Sequence, residues 1–120
     1  MTTMTKPNLV LSAGSLKGNA VRNPSGEDLG KIEEIMINAH SGHVAYAVLS
    51  FGGILGFGDK LFSIPWSLLS VDTENHCCVL DIDRKLLENA PGFDKDNWPN
   101  FSDMTWHDEV HTYYGARRIW

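Results

Sequence analysis

The chain has 120 residues, enough for one domain that buries roughly two thirds of the surface its unfolded form exposes. Hydrophobic residues make up 42% and charged residues 21%, a balance that excludes disorder outside residues 1–8, the expected disordered N-terminus. A net charge of -5 and a pI near 5.4 argue against nucleic acid and anionic membrane surfaces as partners, because phosphate binding runs on a surplus of Lys and Arg.

The N-terminal MTTMTKPNLVLSAG holds one lysine and too short an apolar run for a signal peptide, so the expected compartment is the cytoplasm. Residues 9–18 read as an entry segment or edge strand. Ala20 to Arg22 is a short strand, and Asn23-Pro24-Ser25-Gly26 carries the residues of a tight turn. Asp28 to Asn38 continues as a longer strand with Leu29, Ile32, Ile35 and Ile37 apolar. Its alternation slips at Glu33-Glu34, which predicts a β-bulge. A second turn spans Asn38 to Gly42.

Val44 to Phe51 is apolar on both alternating faces and so needs a cover on each side. Gly52, Gly53, Gly56 and Gly58 then turn the chain, and Lys60 to Ile64 resumes as a strand that Pro65 stops. Val44 to Gly58 is uncharged, but it is broken by glycines and falls short of the roughly 20 residues that span a bilayer, so no membrane insertion is expected. Ser67 to Ser70 reads as one helical turn, Val71 opens a further strand, and Cys77 to Ile82 is the last. Cys77 and Cys78 are adjacent in a strand, point to opposite faces and are expected to stay reduced. Five or six short strands with glycine turns predict an all-β fold, a small antiparallel barrel or sandwich.

Past Asp83 the pattern changes. Arg84 to Asn89 reads as a short helix. Thr105 opens a capping pattern with Asp108, and Gly115 is placed to end the helix between. Trp106, Val110, Tyr113 and Tyr114 share a face of that helix, which must dock on the outer face of the Val44 to Phe51 strand, in its own chain or a partner's.

The order Asn23-Pro24-Ser25-Gly26-Glu27, Leu29-Gly30-Lys31-Ile32-Glu33, Gly42 with Val44-Ala45-Tyr46-Ala47-Val48, Gly52-Gly53 with Gly56, Gly58-Asp59-Lys60 and Ile64-Pro65-Trp66 resembles the PRC-barrel domain family. That family is shared by the cytoplasmic part of the photosynthetic reaction-centre H subunit, a ribosome-maturation factor and free-standing bacterial and archaeal proteins. The likeness spans about residues 16–87. It implies a highly bent PRC-type β-barrel over residues 9–90, an aromatic C-terminal tail over 91–120, and a non-enzymatic adapter or assembly role. Neither the N-terminal membrane helix of the reaction-centre relative nor the extra domain of the ribosomal one is expected within residues 1–17.

Other constellations are weaker. His107 and His111 lie four apart and could face a metal with His40, His43, His76, Cys77 or Cys78. The string HDEVH, however, places Glu109 third where the metalloprotease motif needs its glutamate second. Two solvated histidines beside a packed Trp106 and Val110 is the preferred reading, with no metal and no cofactor. The glycines at 52–58 lack the Lys-Ser or Lys-Thr of a phosphate loop. Glu33-Glu34 and Asp81 with Asp83 have no partner base or nucleophile near in sequence, and no catalytic residue is expected. Ile54, Leu55 and Phe57 stand out as an apolar loop tip that something must cover. With Trp66, Trp106, Tyr113 and Tyr114 they form the candidate interface of a homodimer that also engages a further protein. A soluble accessory of a membrane electron-transfer complex and a small ligand- or metal-binding stress or redox module are the alternatives.

Overall fold

The computed structural model describes residues 10–52, 60–118 and 120. Its strands are β1 Ala20–Arg22, β2 Asp28–Ile37, β3 Val44–Phe51, β4 Lys60–Pro65, β5 Leu69–Asp72 and β6 Cys77–Leu80. They form one sheet in the spatial order β4-β3-β2-β1-β6-β5, bent into a half-barrel. Helices are few: α1 Ala13–Leu16, α2 Arg84–Glu88, α3 Met104–Tyr114, and a 3-10 turn at Trp66–Leu68.

Neighbouring strands pair antiparallel except β1 and β6, which run parallel with Ala20 opposite Cys77 and Arg22 opposite Val79. The expected antiparallel barrel is therefore mixed at this one seam. Turn residues dictate only how consecutive strands meet, and β1 with β6 is a meeting of strands distant in the chain.

The register of β2 on β3 carries the anticipated bulge. Ile32 faces Leu49 and Glu34 faces Val48, so Glu33 is the extra residue, and a second shift follows at Met36 and Ile37. Upstream of the bulge, Gly30 sits at φ +99, a region that side chains disfavour, and a Cβ there would collide with the carbonyl oxygen of Ser50. The backbone of β2 thus presses directly onto the end of β3. Asn23 closes the β1–β2 turn from a buried position: its Oδ1 accepts from Glu27 N, and its Nδ2 donates to Glu27 Oε1 and to the Ile82 carbonyl.

Seven consecutive residues of β3, Ala45 to Phe51, are buried, as a strand with two apolar faces requires. Val21, Leu29, Ile32, Leu49, Phe62, Ile64, Cys78, Leu80 and Leu87 pack in the same core. Full burial of one such side chain contributes roughly 1.5 to 3 kcal/mol. Cys77 and Cys78 are both free and buried, and burial, with Cys77 alongside, pushes the Cys78 thiol above its ordinary range.

Local departures are small and have local causes. Of the two readings of residues 9–18, the edge strand is overturned: residues 13–16 form a helical turn, tied by Ser15 N and Oγ to the Ser12 carbonyl and seated by buried Leu16. Strand β5 begins at Leu69, ahead of the expected Val71, because the turn after Pro65 is a tight 3-10 turn. β6 ends at Leu80 because Ile82 N turns back to the Leu80 carbonyl. Beyond α2 the chain crosses the outer edge of β4, where Phe93 and Leu61 exchange backbone hydrogen bonds of 2.8 Å.

Candidate functional site

Helix α3 is started by Asp103, whose carboxylate accepts from the Thr105 amide at 3.0 Å. The expected cap at Thr105 is thus displaced: Thr105 already lies within the helix, and its N–H is the group being capped. Gly115 ends the helix in the left-handed conformation as anticipated, its N–H donating to the carbonyls of His111 and Thr112.

The buried stripe of α3 is His107, Val110, His111 and Tyr114, with Trp106 and Tyr113 half-buried beside it. The expectation of solvated histidines is overturned, since His107 is 3% exposed and His111 6%. Their burial has a chemical reason in Tyr46, which projects from β3 with no exposure and must satisfy its hydroxyl inside the protein. Nε2 of His107 lies 2.7 Å from the Phe101 carbonyl and Nδ1 of His111 lies 2.8 Å from the His107 carbonyl. Carbonyl oxygens only accept, so those two nitrogens carry the protons. In the neutral imidazole this leaves Nδ1 of His107 to accept from the Tyr46 hydroxyl at 2.6 Å. The two rings stack at 5.5 Å with planes 8° apart, and Trp106 and Trp120 close around Tyr46 at 5.5 and 5.7 Å. Burial raises the Tyr46 hydroxyl well above the ordinary phenol range; Arg118 pulls it down and Asp108 pushes it up by smaller amounts.

Of the candidate interface residues, Ile54, Leu55 and Phe57 lie outside the described residues. Trp66 opens the 3-10 turn and borders a small space shared with Val44, His111 and Trp120. Trp106 packs edge-on against Phe101 at 5.0 Å. Tyr113 donates to the Leu86 carbonyl at 2.6 Å, tying α3 to the segment after the sheet. Tyr114 is buried, which raises its hydroxyl, with Tyr113 adding to the effect. These four residues thus make contacts within their own chain. The structure brings Tyr46, His107 and His111 together instead, a group the helical face drawn from apolar residues alone passed over. The available signal was a lone tyrosine in a strand otherwise free of hydrogen-bonding side chains until Ser50, matched by two histidines one helical turn apart.

Among the described residues no group of three or more His, Cys, Asp and Glu side chains is placed to hold a metal ion, and no helix is long and apolar enough to cross a membrane. A family model described as PRC-barrel domain matches residues 10–87, more than half of the chain. The chain belongs to the PRC-barrel family. A comparison with curated proteins finds no match. The PRC-barrel match spans α1, the six strands and all but the last residue of α2, and it stops short of α3. Tyr46 therefore belongs to the PRC-barrel domain proper, and the histidines that receive it belong to the extension.

Proposed function

We propose that this PRC-barrel protein is a non-enzymatic cytoplasmic adapter that assembles as a homodimer and presents the paired barrels to a further protein. Membership of a family whose domain serves in general as a protein-interaction module, usually without catalysis, is the observation that carries the reading. The hydrogen bonds of Tyr46, His107 and His111 that dock α3 support it by fixing the tail against the barrel. Large apolar side chains remain at the surface of that shape, among them Ile37 at 58%, Met104 at 48% and Trp98 at 40% exposure. Self-association is assigned to Ile54, Leu55 and Phe57, the apolar residues between glycines in the sequence, because twofold homodimers are the commonest soluble oligomers.

Light scattering on the purified chain tests this. A dimer is expected at micromolar concentration, and Leu55→Ser with Phe57→Ser should shift it to monomer while leaving the far-ultraviolet circular dichroism unchanged. A monomeric parent, or a double variant that dimerises as well as the parent, would sink the homodimer.

A further inference from the structure

A groove of about 670 Å³ lies where β1, β2, β3, β4 and α2 meet, with Gly92 of the tail against its Lys60 and Phe62 and helix α3 absent from its lining. That volume is of the size that takes small ligands. Three cations line it from three separate elements: Lys31 of β2, Lys60 of β4 and Arg84 of α2. Two are aimed by buried rings, with the Arg84 guanidinium 5.3 Å from the centre of Phe51 and the Lys60 ammonium 5.8 Å from that of Phe62. A ring face attracts a cation and fixes its direction without cancelling its charge. None of the three is within ion-pair distance of a carboxylate among the described residues, whose ion pairs are Lys17 with Glu34 and Arg118 with Asp108.

Two carboxylates share the groove. One Asp28 oxygen accepts from the Gly30 amide at 3.0 Å, and Glu88 stands exposed one helical turn from Arg84. Among the described lining residues the cations thus outnumber the carboxylates by one, in a chain whose net charge is -5. Cations gathered in a concavity favour the opposite charge at its mouth, all the more where rings direct them into it. The carboxylates would repel a bare anion but accept hydrogen bonds from hydroxyls.

We infer that this groove binds a small hydroxyl-bearing polyanion, a molecule with two or more phosphate or carboxylate groups, held by Lys31, Lys60 and Arg84, with Asp28 and Glu88 receiving its hydroxyls. Citrate and inorganic pyrophosphate serve as probes that separate carboxylate from phosphate chemistry, titrated into the isotope-labelled full chain at constant ionic strength and followed by amide and arginine NMR. At least one should give saturable shifts centred on Gly30, Lys31, Gly52 and Arg84, half-complete below about 1 mM. Lys31→Gln with Arg84→Gln should weaken that binding by about tenfold or more with the spectrum otherwise retained. If neither probe saturates, if Lys17, Arg117 and Arg118 shift as much as the groove, or if the double variant binds like its parent, the site is wrong. Light scattering on the same variant keeps this separate from the adapter reading, because the groove residues are distinct from Leu55 and Phe57.

Discussion

The half-barrel and the tail helix make opposite use of polar groups. In the sheet the polar partners are backbone amides and carbonyls, paired strand to strand, and the buried side chains are almost all apolar. Where α3 meets β3 the order is reversed: a tyrosine hydroxyl and two imidazoles form the seam, and the indoles and Phe101 pack around them. An apolar seam tolerates repacking at modest cost, whereas a buried polar seam loses the desolvation cost of every group left without a partner. The sheet should therefore break where space is lost, and the dock where a single atom is lost.

Gly30→Ala gives the largest expected effect on the sheet side. It places a methyl against the Ser50 carbonyl at a backbone angle alanine resists, and it should cost on the order of 3 kcal/mol or more by chemical denaturation. Full stability in that variant would mean that β2 does not press on β3 as described. On the dock side, Tyr46→Phe removes one oxygen, keeps the ring, and leaves buried Nδ1 of His107 without its donor, for a loss of about 1 to 3 kcal/mol.

Alkaline titration sharpens the same contrast. The Tyr46 and Tyr114 hydroxyls are raised by burial, so above the ordinary phenol range the folded chain holds protons that the unfolded chain releases. Their contribution to stability is complete below about pH 10 and is lost as pH rises beyond it. Tyr46→Phe should flatten that decline, with Tyr114 retaining its own part; tyrosinate absorbance alongside denaturation measures both. The smallest effect is expected at Asp103→Ala, which removes only the cap of α3 and should cost about 1 kcal/mol. If it proves more damaging than Tyr46→Phe, helix formation and not the hydroxyl limits docking.

Strand signals here are local, which is why most of the sheet can be read from the chain. Val44 to Phe51 shows its double burial in the absence of polar alternation, and the Glu33-Glu34 slip marks its own bulge. The parallel β1–β6 seam leaves no such trace, because residues 20–22 and 77–79 carry nothing that names each other. The turn at residues 13–16 is too short to display a period. The dock was half legible. Val110 and Tyr114 follow from apolar spacing, but His107 and His111 look like solvent residues until a buried hydroxyl is found opposite them. Capping chemistry was recognised at the right helix and misplaced by two residues, since Asp103 and Thr105 are both good N-cap formers.

The short pairing of Phe93 with Leu61 bears on how safely the molecule can exist at high concentration. β4 is the outermost strand on its side of the sheet, and an uncovered outer strand is a template on which another chain can grow. The crossing segment takes up that edge at Leu61, and Gly92 allows it to lie flush, since a Cβ there would meet the Leu61 carbonyl oxygen at 2.8 Å. A chain cut after Ala90 would keep every strand yet present β4 bare, and its copies would be expected to stack into insoluble ribbons.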